Sequence, residues 1–267
     1  MTSSVRLLRR AGLCLAALCG AYLVMPGGTA EVPATQIGTA QVAIGGDTAR
    51  VVENVSYRQD VTRIGDVVVV DGQPTAAITD DRVASMWAIV DAVWPAEHRS
   101  QLRQLSVIEE DARGLVGVVH PSAVGGWILS LDAADLGDPA LLEETIVHEL
   151  AHVVTLDSSV FTFGDDGTCP GEQISLGCAH DGSVLAEFTA RFWADRERGA
   201  DHEYVNDYAG TAPHEDLAET FTAMVWGWTP AGETIADKVD VIAADPGLAR
   251  LATDLRALLD RRAALRS

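Results

Sequence analysis

The stretch from Asp138 to Leu156 constrains this chain more than any other. Asp138 followed by Pro139 is a helix start, an N-cap with proline in the first helical position. Ile146, Val147, Leu150, Val153 and Val154 then recur at helical spacing and define a side for burial. His148 and His152 are left one turn apart, facing a cleft, with Glu149 beside them. Imidazoles at i and i+4 can chelate one metal ion, and a carboxylate not needed as a ligand can take a proton from a metal-bound water. His148-Glu149-Leu150-Ala151-His152 therefore carries ligands and a base together.

The competing reading is an ordinary amphipathic helix with two histidines by coincidence, and a third ligand decides between the two. Metzincins would place glycine at position 155 and histidine at 158, but Thr155 and Ser158 stand there, which excludes that class. A later run offers a carboxylate: Tyr208, Thr211, Glu215, Ala218, Glu219 and Phe221, the last four in an ExxAExF pattern. Glu215 and Glu219 share one helix face, and Leu217, Phe221, Met224 and Val225 form the opposite one. On the residues alone, two rivals stay open. One is a solvated acidic face; the other is His214 as third ligand, rotated about 100° from Glu215 around the helix.

Together these segments resemble gluzincins related to the anthrax lethal factor catalytic domain, where a tyrosine, a threonine and an ExxAExF helix follow the HExxH helix. Other secreted bacterial zinc-binding peptidases of unassigned substrate are similar. The resemblance implies a gluzincin-type zinc metallopeptidase with Glu215 as third ligand and Glu219 as the carboxylate that orients a ligating histidine. It implies Tyr208 as a stabiliser of the oxyanion. It spans only the two motif helices and the approach between them, and this chain departs from it by inserting a cysteine loop and a further helix.

Residues 1–30 read as an export signal: Arg6, Arg9 and Arg10, an apolar run from Ala11 to Met25, then Gly28-Thr29-Ala30 as a cleavage site. The run is too short to span a bilayer, which takes about 20 apolar residues. Removing it takes away three arginines and no acids, so the formal charge moves from −20 to −23. Such a charge excludes nucleic acid and anionic membranes as partners and favours a soluble monomer with no stable membrane insertion. Cys14 and Cys19 leave with the signal. Cys169 and Cys178 remain, an even pair that predicts one disulfide in a secreted or extracytoplasmic chain. A second zinc site with His180 is the alternative, without the usual CxxC spacing. Asp165, Asp166 and Glu172 form an acidic loop that could take calcium but lacks the EF-hand register, so a solvated loop is expected. His120, His180 and His202 show no partner pattern, and Trp226 and Trp228 are read as packing residues.

Residues 31–79 are expected to be β-rich, with Val67 to Val70 a strand entering a turn at Asp71-Gly72; the alternative is a propeptide or linker at its start, since residues 35–48 are small and polar. Residues 80–267 are the expected catalytic domain. Its elements are a helix within Asp80–Leu102 with Pro95 marking an end, strands at Ser106–Glu110 and Gly126–Asp132, the motif helix, helices at Ser183–Arg198 and Pro213–Trp228, and helical segments from Thr229 onward. The predicted fold is α+β and zincin-like in two lobes, a small N-terminal sheet with the active-site helix, then a helical C-terminal lobe. The strand Gly126–Asp132 is the candidate edge for an extended substrate.

The expected function is secreted, zinc-dependent peptide-bond hydrolysis, with one Zn2+ per chain, a peptide or protein substrate, and Glu149 as base toward a zinc-activated water. Its rival is an exported zinc-containing binding or structural module without turnover. A purely structural site needs no Glu149 and closes its fourth position with a protein ligand.

Overall fold

The structure is a computed structural model that describes residues 41–44, 47–50, 61–110, 117–164, 167–194, 203–228 and 232–266. The export signal, Asp165, Asp166 and His202 lie outside the described residues. Strands β1 (Gln41–Ile44) and β2 (Asp47–Arg50) form an antiparallel pair. Strand β3 (Val61–Val70) turns at Asp71-Gly72 into β4 (Gln73–Pro74). Both turn residues have positive φ, 50° and 75°, as a two-residue hairpin with right-handed strand twist requires.

Helix α1 (Asp81–Val93) begins on Asp80, whose side chain accepts from the Arg82 and Val83 amides, and it buries Val83, Met86, Trp87, Val90 and Val93. It ends before Pro95, as expected, and the following residues form a one-turn α2 (Ala96–Arg99). Strands β5 (Leu102–Glu110), β6 (Gly117–Pro121) and β7 (Trp127–Asp132) complete a five-stranded sheet in the order β4-β3-β5-β7-β6. β5 and β7 run parallel and the other neighbours antiparallel. The sheet thus takes strands from both sides of residue 80.

One expectation is corrected here. β7 is not an edge: it lies between β5 and β6 with all six residues buried. Its run Trp127-Ile128-Leu129 is that of a strand covered on both faces, for which alternation is not needed. The edge beside the motif helix is β6.

The motif helix α3 (Pro139–Thr155) starts as expected, with the Asp138 side chain accepting from the Leu141 amide at 3.2 Å. It is buried on nearly all sides rather than on one, so its histidines sit inside the molecule. Three short strands follow, β8 (Phe161–Phe163), β9 (Glu172–Ile174) and β10 (Gly177–Ala179), antiparallel in the order β8-β10-β9. Cys178 on β10 is disulfide-bonded to Cys169. That leaves no thiolate for a second zinc site, and His180 instead pairs with Thr162 Oγ1 at 2.8 Å.

Helix α4 (Val184–Phe192) ends short of the expected Arg198, because Trp193 leaves helical backbone at φ −125° and turns its indole N–H to Asp216. Helix α5 (Pro213–Trp226) stops at Gly227, whose left-handed φ of 64° lets the Trp228 amide reach back to the Ala223 carbonyl. Helices α6 (Glu233–Ala244) and α7 (Pro246–Arg266) finish the chain. From α7, Arg262 and Arg266 both bind buried Glu143 on α3, at 2.7 and 2.6 Å. The fold is α+β, its sheet in the N-terminal half and most helices in the C-terminal half. One continuous apolar core runs from Val67 through Leu129, Leu150 and Phe221 to Leu259. Among the described residues no helix is long and apolar enough to cross a membrane.

Candidate metal centre

Helices α3 and α5 pack against each other and turn their polar residues inward between them. His148 Nε2 and His152 Nε2 lie 3.0 Å apart, and Glu215 Oε2 lies 3.1 Å from each. Three donors of a tetrahedral site with bonds of about 2.0 Å stand about 3.3 Å from one another. The triangle here is one face of such a site, slightly contracted. Among the described residues no second group of three histidine, cysteine or carboxylate donors converges this way. Glu215 and Glu219 are 2% and 0% exposed, which removes the solvated acidic face.

The charges are unbalanced. The groups that act on one another here are three histidines and three carboxylates, with no lysine or arginine among them. Burial opposes a charged His148, but the carboxylates of Glu219, Glu215 and Glu149 outweigh it and raise its pKa to about 10. Burial likewise works against an ionised Glu215, and His152, His148 and His214 overcome it, holding that carboxyl well below the usual range. The pocket favours positive charge, and once a metal displaces the His148 proton its two imidazole nitrogens and carboxylate oxygen suit zinc.

Supports surround the triangle. Glu219 Oε1 stands 2.8 Å from His148 Nδ1, an ion-pair contact off the linear hydrogen-bond direction. With a carboxylate at Nδ1, His148 brings its Nε2 lone pair to the cluster. Asn206 Nδ2 donates to the other Glu219 oxygen at 2.6 Å, and Asn206 Oδ1 accepts from the Ala209 amide at 2.9 Å. Asn206 thus ties Glu219 to the turn that carries Tyr208. Sequence reasoning missed it, since an asparagine in a turn has a purely local explanation. The half-buried Tyr208 ring lies 5.8 Å from the His148 ring.

Glu149 points the other way, toward β6, where its Oε2 accepts from the Val119 amide at 2.9 Å. This close approach depends on Gly117, because a Cβ there would sit 2.6 Å from Thr145 Cγ2 on α3. Burial raises the Glu149 pKa, with His148 and His152 only partly opposing it. His214 is not one of the three converging donors; its Nε2 is 3.5 Å from Glu215 Oε1. Burial pushes its pKa down.

The far side of α5 is different. Asp216 pairs with Lys238 at 2.7 Å and accepts from Trp193 Nε1 at 3.0 Å. Lys238 also donates to the Glu203 carbonyl at 2.7 Å and sits 4.4 Å from the Tyr204 ring centroid. It fastens the start of the segment that leads to Asn206 and Tyr208.

No family model matches this chain, and no curated protein is similar to it. Among solved structures it is similar to a Bacteroides caccae protein named as a candidate zinc-binding metallo-peptidase, with TM-score 0.31 and 15% identity over 73% of this chain and 79% of that one. A likeness at this level carries no inference about fold or activity.

Proposed function

We propose that this chain is an exported gluzincin-type zinc peptidase, with His148, His152 and Glu215 holding one zinc per chain. The observation that carries this is the convergence of three buried donor atoms within 3.1 Å of one another, with no lysine or arginine among the groups that act on them. Bound there, zinc supplies Lewis acidity toward a carbonyl and toward water. Glu149, anchored on the Val119 amide and outside the donor triangle, takes a proton from the attacking water and returns it to the leaving amine. Glu219, braced by Asn206, keeps His148 in register. Tyr208 faces the oxyanion. The outer edge of β6, in place of β7, pairs with the main chain of an extended peptide or protein substrate.

Residues 1–30 are the export signal in this reading, and the Cys169–Cys178 disulfide fits an oxidising, extracytoplasmic compartment. The protein acts as a soluble monomer. The catalytic unit includes β3, since that strand pairs directly with β5.

One observation favours a second reading, a zinc-holding module without turnover: His214 is a further buried imidazole that could close the fourth coordination position. Glu149→Gln separates the two. The variant is expected to keep one zinc per chain by elemental analysis and to cleave a mixed peptide library some 10²–10⁴-fold more slowly. A zinc-loaded wild type that cleaves no better than Glu149→Gln would select the second reading.

A further inference from the structure

His214 is 2% exposed, yet neither ring nitrogen has a hydrogen-bond partner. An unsatisfied buried polar group is destabilising, and native structures rarely leave one without a purpose. Its surroundings are those of the metal centre. The ring lies 5.7 Å from the His152 ring, and Nε2 is 3.5 Å from Glu215 Oε1. Oε1 is the oxygen that Glu215 does not offer to the histidines, since both of their Nε2 atoms meet Oε2. Adjacent residues project about 100° apart on a helix and do not ordinarily face each other. The approach of the imidazole to the next residue's carboxylate is therefore not imposed by α5.

Resting on the zinc reading, we propose that His214 is a positioning residue for the third ligand: its Nε2–H donates to Glu215 Oε1 and commits that carboxylate to binding through Oε2 alone. Oε1, left free, could swing in and occupy a second position on the ion. With Oε1 held, that position stays open for the reaction. The present 3.5 Å contact needs to shorten by about 0.5 Å to become an ordinary hydrogen bond. Ligating carboxylates are commonly held in this way by a second donor. The role also accounts for the missing partner: the imidazole is poised for a carboxylate that settles when the ion arrives.

The test compares His214→Met, similar in bulk without a donor, and His214→Gln, which keeps an N–H donor, with wild type. Zinc affinity is measured by competition with a chromogenic chelator, and histidine ligands are counted by X-ray absorption of the zinc-loaded proteins. His214→Met is expected to bind one zinc through two histidines with about 10–100-fold weaker affinity, while its metal-free form melts no lower than wild type. His214→Gln is expected to recover most of the affinity. Affinity in His214→Met within twofold of wild type overturns the inference, as does a wild-type site with three histidine ligands that drops to two. A wild type that takes up no zinc sinks the zinc reading itself, a result distinct from either.

Discussion

Glu215 and Asp216 are neighbours on one helix, both buried, and they live in opposite electrostatic worlds. Asp216 meets Lys238 and the Trp193 indole, a buried cation and donor supplied by the chain, although burial still raises its pKa. Glu215 meets His148, His152 and His214, and the same pocket holds Glu149 and Glu219. The first arrangement is complete as it stands. The second has histidines and carboxylates alone, with no lysine or arginine among the interacting groups, and it is the arrangement on which the zinc reading rests. A buried carboxylate therefore says little about function by itself; what separates a structural one from a ligand is whether the chain supplies its counter-charge.

Glu215→Ala should give the largest effect. Zinc affinity falls on the order of 10³-fold, about 4 kcal/mol, and the metal-free protein also melts lower than wild type at neutral pH, because the carboxylate that His152, His148 and His214 hold ionised has gone. Metal analysis after dialysis checks the first half and calorimetry the second; undiminished zinc would hand the third-ligand role to His214. Asp216→Asn should lower stability and spare the metal. Lys238 loses its anion, unfolding in urea costs about 3 kcal/mol less, and the folded fraction still holds one zinc. If both variants changed metal and stability alike, the contrast between the two faces of α5 would be broken.

Glu143 sharpens the comparison as a second self-matched carboxylate. Burial alone would raise its pKa, but hydrogen bonds and charge from Arg266 and Arg262 prevail and hold it below the ordinary 4.5. A carboxylate with a depressed folded pKa stabilises fully above its unfolded pKa and loses that contribution as pH falls through the folded one. Glu143→Gln should thus cost about 2 kcal/mol at neutral pH. Its melting temperature should also fall less steeply than that of wild type when the pH is lowered below about 4.5. Parallel pH profiles would mean that the Arg262–Arg266 clamp contributes nothing. The smallest effect belongs to Asn206→Ala, about 1 kcal/mol or fivefold in zinc affinity, since it removes a brace on Glu219 and no ligand.

Much of the centre is legible in the sequence because its signals are local. The i, i+4 histidines, the Asp138-Pro139 start and the Glu215–Glu219 spacing each depend only on helix periodicity, and these residues do meet in space. The motif helix is buried all round instead of on one face, which periodicity could not show, since α5 covers the histidine side from 67 residues away. The order of strands was equally hidden. Apolar runs identify β5 and β7, but nothing in them says that the short β6 would fold outside β7 and bring the Val119 amide to Glu149, 30 residues on. Asn206 and the unpartnered His214 depend on tertiary contacts in the same way.

Lys238 has a practical consequence. It is the sole lysine of the chain and is 1% exposed. The folded surface therefore presents no lysine amine to acylating reagents, cross-linkers or amine-coupled supports. Acylation at position 238 requires the α5–α6 contact to open, so modification of Lys238, read apart from that of the chain's α-amine, becomes a single-site reporter of when that half of the protein comes apart.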